Sequence, residues 1–215
     1  MAHLTRRKER AAIGFTVKSG WTAAVLVMQQ ATVPRVVDSQ TIDLSDPAIP
    51  ESRQPYHVGF GTARAAGARL STLLASVERF GQRSLARLMS GYQAAGYDVR
   101  GVGLVVGSLI DPGEIANDHI RIHALEGQLF RGVLEKAASR HGMPCSIWRE
   151  RDLAGAAQAL LKRTEPELRD TIAALGRGVD GPWRSEQKRA ALAGWLVLAG
   201  RSAGRKSVSG KAGDE

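Results

Sequence analysis

Two almost uninterrupted apolar runs, AAIGFTVK (11–18) and WTAAVLVM (21–28), are separated only by Ser19 and Gly20. Runs this poor in polar alternation are expected of strands covered on both faces. A two-residue link leaves room for nothing but an antiparallel hairpin. The hairpin therefore predicts a sheet with material on both sides, which excludes a helical bundle and a sheet with one wet face.

The rest of the chain supplies that material. PRVVDSQTIDL (34–44) alternates more and predicts a third, more exposed strand joined by a tight link, which makes an antiparallel meander. A proline-rich connection, SDPAIPESRQPYHVGFG, leads to a long helix over 62–94 with Leu70, Leu73, Leu74, Val77, Leu85, Leu88 and Tyr92 at helical spacing. VRGVGLVVG is a fourth, buried strand. Asp111, Pro112 and Glu114 form a helix-start signal, so a helix is expected from 112 to 140, stopped by Gly142 with Pro144 behind it. PCSIW is a short fifth strand, and helices follow over 152–162, 165–176 (with a Thr164–Glu167 capping box) and 182–200.

Strand–helix–strand connections of this length make the later strands parallel and the crossovers right-handed. The expected architecture is α/β: a mixed five-stranded sheet, an antiparallel three-strand meander plus two parallel strands, with helices on both faces. Residues 11–200 would form this domain, 1–10 a basic disordered leader and 201–215 a basic disordered tail.

Charge and cysteine usage narrow the setting. The formal charge is +9, of which +3 falls in 1–10 and +2 in 201–215. Basic ends of this kind attract phosphate backbones without reading sequence. Arg79, Arg83 and Arg87 form a row along the long helix, read either as a solvated face or as a nucleic-acid contact. Lys18 interrupts the N-terminal apolar run, which argues against a signal peptide, and no apolar stretch suits a membrane span. Cys145 alone permits no internal disulfide and suits a cytoplasmic protein. Its place beside Pro144 in a strand favours a buried structural role over a nucleophilic one.

The candidate site lies in HIRIHALEGQLF (119–130). At about 100° per residue, Ile115, Ile122, Leu129, Phe130, Val133 and Ala137 all fall within about 60° of Glu126. Glu126 is thus at the centre of the apolar stripe, with His119 and His123 stacked beside it. A carboxylate in mid-core is costly unless paired or protonated. Lys188, on the stripe of the last helix, Lys18 and His57 are the candidate partners. One reading is a buried polar knot; another is a divalent-metal site using His119, His123 and Glu126; a third is a metal-free polar cleft. As a hydrolase site, Glu126 or a histidine would act as general base while Lys18 or Lys188 steadied an anion. No Walker loop, dinucleotide fingerprint or Ser-His-Asp arrangement is present.

The element order, with HALEGQLFRGVLEKAASRHGMPCSIWRERDL and SEQKRAALAGWLVLA, resembles the Holliday-junction resolvase branch of the ribonuclease H-like superfamily over residues 12–200. SGW, PYH and HALEG also resemble a group of bacterial proteins without an assigned activity. The resolvase resemblance implies acids in the first strand, at the end of the fourth and on the last helix, holding two magnesium ions. Here the first strand reads IGFTVKSG and the fourth GVGLVVGSL, both acid-free, and on the last helix only Glu186 is available. The expectation is a nucleic-acid-associated binding protein without two-metal nuclease chemistry. A hydrolase with an atypical His57/His119/His123/Glu126 site and a purely structural protein are the alternatives. The GFTVKSG hairpin also resembles the phosphate loop of actin-like ATPases, a weaker likeness because those enzymes close two domains around one nucleotide.

Overall fold

The computed structural model describes residues 9–58 and 67–208, with side chains through Gly200. The hairpin forms as expected. Strand β1 (Glu9–Lys18) pairs antiparallel with β2 (Trp21–Met28), and Lys18 opposes Trp21 across the Ser19–Gly20 turn. Gly20 has φ +82°, a conformation that suits a residue without a side chain. Its carbonyl accepts hydrogen bonds from the Leu44 and Ser45 amides at 2.9 and 3.1 Å, tying the turn to the end of β3 (Arg35–Asp43).

Helix α1 (Ala68–Ala94) leads to β4 (Tyr97–Val106), which lies parallel to β1; residues 62–66 of the expected helix fall outside the described residues. Helix α2 (Asp118–Arg140) returns the chain to β5 (Cys145–Arg149), parallel to β4. Helices α3 (Leu153–Leu161), α4 (Glu165–Leu175) and α5 (Ser185–Val208) complete the chain. The sheet order is β3-β2-β1-β4-β5. The mixed α/β architecture is the expected one.

Two packed layers enclose the sheet. Ile13, Phe15 and Val17 of β1 join Leu85, Leu88 and Met89 of α1 and Phe130, Val133 and Leu134 of α2 in one cluster. Ala12, Val25 and Val105 join Leu153, Leu168, Ala190, Ala193 and Trp195 of the three later helices in the other. Alternating strand residues thus supply the two faces, as the two-sided apolar runs require.

Helix ends differ from expectation where two signals compete. Asp111 caps only a 3-10 turn, Pro112–Glu114, accepting from the Gly113 amide at 2.9 Å. Asn117 then starts α2 by accepting from the Ile120 amide at 3.0 Å. The last helix starts at Ser185, because Gly181 takes a positive φ and Pro182 stays outside the helix. It passes through Gly200, which keeps a negative φ, and runs to Val208; strand β1 likewise starts inside the expected leader, at Glu9. Gly96 and Gly142 end α1 and α2 with φ +87° and +63°, and the Thr164–Glu167 capping box is present.

A buried carboxylate beside three histidines as candidate functional site

The α2 stripe that covers the sheet buries Phe130, Val133, Leu134 and Ala137, and with them Glu126, at 0% exposure. Its partners come from the short turn Pro55–His57. The Tyr56 amide donates to Glu126 Oε1 at 2.8 Å, and His57 Nδ1 lies 3.3 Å from the same oxygen. Among the described residues, Oε2 has no hydrogen-bond partner. Burial pushes the carboxyl up to about 7, against the hydrogen bonds offered by Tyr56 and His57. Burial and the charge of Glu126 also raise the Tyr56 phenol.

His119 and His123, one turn apart on α2, stand outside this carboxylate and close over the His57 ring. The ring centroids are 4.8 Å apart for His57 and His123, 4.6 Å for His119 and His123, and 6.3 Å for His57 and His119. The Nε2 atoms of His119 and His123 approach to 3.2 Å. Burial, followed by the neighbouring His119 and His57, lowers the His123 imidazole from its ordinary range. One nitrogen of such a pair donates while the other accepts.

This arrangement limits the chemistry. Glu126 is fully buried, while the His57 that contacts it has a side chain 24% exposed. Glu126 Oε1 accepts from Tyr56 and faces His57, while His119 and His123 contact each other and the His57 ring. Among the described residues no group of three or more His, Cys, Asp or Glu side chains is placed to hold a metal ion.

Lys188 does not meet Glu126. It is exposed near the start of α5, a helix that covers the opposite face of the sheet. A helical wheel places Lys188 on the α5 stripe but carries no information about which face of the sheet α5 takes. Lys18, at the end of β1, lies 3.8 Å from Glu150, whose other oxygen is 2.6 Å from Arg189 of α5. Lys18 and His123 line a common cleft below α2, with Arg131.

A second basic feature lies on α1. Arg79, Arg83 and Arg87 are all exposed and take part in no ion pair among the described residues. Arg83 lies 5.9 Å from the Phe80 ring centre. Phe80, Ser84 and Arg87 line a groove of about 570 Å³ between α1 and β3.

No family profile matches the chain, and neither does any curated protein. Solved structures do. RuvC of Thermus thermophilus superposes with a TM-score of 0.52 at 12% identity, over 90% of this chain and 96% of that one. T. thermophilus RuvC in complex with a Holliday junction substrate gives 0.52 at 10% identity, over 91% and 97%. The fold is ribonuclease H-like.

Within this ribonuclease H-like frame, the sequence pattern missed Tyr56, whose contribution is a backbone amide and leaves no residue-type signal. It also missed Arg131, which falls outside the Glu126 stripe on the wheel, and the Glu150–Arg189 pair, which joins segments far apart in sequence. Cys145 is half-buried, and burial with the charge of Glu135 pushes its thiol up to about 11. A thiol so raised is a poor nucleophile at neutral pH.

Proposed function

We propose that this ribonuclease H-like domain binds nucleic acid through the phosphate backbone and does not cleave it by two-metal hydrolysis. The observation that carries the reading is the Arg79/Arg83/Arg87 row. Three exposed guanidinium groups, in no ion pair among the described residues, recur at about 6 Å steps along α1, from a rise of ~1.5 Å per residue. Arginines spared from ion pairing keep their charge for a polyanion. The adjoining groove presents the Phe80 ring, a surface on which an unpaired base can stack. A fold neighbour, T. thermophilus RuvC, is described with a Holliday junction substrate. The basic ends would add to the attraction; residues 1–8 and 209–215 lie outside the described residues.

The second half of the reading rests on what stands where the resemblance implies acids. In β1, Thr16 donates its hydroxyl to the Glu186 carbonyl at 2.8 Å, and Lys18 follows. The end of β4 is Val105–Val106. Glu150 is engaged by Arg189 at 2.6 Å, with Lys18 at 3.8 Å. Glu186 alone cannot hold two magnesium ions, so the residues present do not fit that pair.

The test uses the full chain with a fluorescently labelled four-way junction and the matching duplex. Binding that weakens steeply with salt, with both strands intact after incubation with magnesium, is expected. Absent or salt-independent binding overturns the first half of the proposal. Magnesium-dependent strand cleavage overturns the second.

A further inference from the structure

At the carboxyl ends of the parallel strands β1 and β4, beneath α2, lies a cleft of about 360 Å³. In open α/β sheets this end of the strands is where ligands gather, and the volume suits a small molecule. Its polar wall includes Lys18, His123, Gln128 and Arg131, and no aspartate or glutamate lines it among the described residues. Its floor is apolar, with Val17, Val106 and Ala124. At its mouth stand Ile110 and Ile120, 58% and 56% exposed.

The cations of that wall have only distant carboxylate neighbours: Glu150 and Glu186 for Lys18, Glu135 for Arg131. Glu150 is shared, and its contact with Arg189 at 2.6 Å is much closer than its contact with Lys18 at 3.8 Å. The buried Arg131 Nε lies 3.5 Å from Glu135 Oε2, an ion-pair contact, and among the described residues it makes no hydrogen bond. A buried donor without a hydrogen bond is uncommon, and water or an anion in the cleft can supply its acceptor. Ile110 and Ile120 offer exposed apolar surface beside this polar wall.

We propose that this cleft binds a small organic anion, a compact apolar body bearing one phosphate or carboxylate. Lys18 and Arg131 take the anionic group, while Val106, Ile110 and Ile120 contact the body. The site does not depend on nucleic-acid binding: none of its residues belongs to α1, and its occupant is a free small molecule.

Phenyl phosphate and benzoate serve as probes, with inorganic phosphate as the comparison, by isothermal titration of the full chain and two variants. Lys18→Ala removes a wall cation. Gly127→Leu fills the cleft, since Gly127 lines it and a Cβ there meets nothing within 4 Å. Leucine also suits a helix better than glycine, so the fold is retained. Saturable binding of at least one aryl probe, about tenfold tighter than inorganic phosphate and about tenfold weaker in each variant, is expected. The tighter aryl probe identifies the preferred anionic group. No saturable binding by either probe up to about 10 mM overturns the proposal. So does an affinity matched by inorganic phosphate, or one that neither variant changes. Loss of junction binding in an Arg79/Arg83/Arg87 variant leaves these titrations untouched.

Discussion

The two faces of the sheet are packed by different means. On the α5 face the helix lies against the strands backbone to backbone. A Cβ on Gly14 would fall 1.7 Å from the Ala190 carbonyl oxygen, and one on Gly103 2.8 Å from that of Ala193. A Cβ on Gly194 would meet Val27 at 2.6 Å. On the other face, Leu85, Leu88, Met89, Tyr92, Phe130 and Leu134 hold α1 and α2 away from the strands. The spacing there admits a buried carboxylate, its turn-borne partners and a cleft at the strand ends. Contact between small residues seals one face; large side chains leave the other room for polar chemistry.

The largest effect that would break this contrast comes from Gly14→Val. The added side chain runs into α5 backbone and leaves no rotamer free, so equilibrium urea unfolding is expected to show a loss of more than about 4 kcal/mol or no cooperative fold. A tolerated valine would mean that α5 is not seated as described. Glu126→Ala on the other face leaves the Tyr56 amide without its acceptor and opens a cavity, for a loss of about 3 kcal/mol. Glu126→Gln keeps an acceptor for that amide, and a loss under about 1 kcal/mol is expected. Equal losses for alanine and glutamine would show that shape alone, not the hydrogen bond, is at stake.

pH sharpens the same comparison. The Glu126 carboxyl is raised from 4.5 to about 7 on folding. Its protonated form is the one the core prefers, so its contribution is fully present below about 4.5 and is lost as pH rises through about 7. The titration occurs against His57 and the Tyr56 amide, so the wild type is read as a difference from Glu126→Gln. That difference is expected to shift by about 2–3 kcal/mol against the wild type between pH 5 and pH 8. A flat difference would place the carboxyl in water. The smallest effect concerns Cys145: in the folded protein at neutral pH its reaction with a disulfide reagent should be slower than in urea by about tenfold or more.

The sheet was legible because strand pattern and turn length act locally. AAIGFTVK and WTAAVLVM cannot be covered on both faces except inside a layered sheet, and the lengths of the later crossovers fix parallel pairing. The position of Glu126 was legible for the same reason, since the helical wheel needs only α2. Its partner was not. Lys188, Lys18 and His57 were equivalent until the layers were assigned, and that assignment separated Lys188 from Glu126 by the whole sheet. The start of α2 was hidden by two caps in tandem, Asp111 and Asn117, of which a local rule favours the one backed by Pro112. The seal on the α5 face depends on Gly14 meeting Ala190, a pairing of distant glycine and alanine that no local pattern encodes.

The central claim is that the α1 arginine row meets phosphates, and the salt dependence of duplex binding tests it most directly. Binding of the wild type and of the Arg79→Gln/Arg83→Gln/Arg87→Gln variant is followed by fluorescence anisotropy across a salt series. Each lost phosphate contact lowers the slope of log affinity against log salt by about 0.9, so the variant is expected to be shallower by about 2–3. Identical slopes for the two proteins would contradict the account.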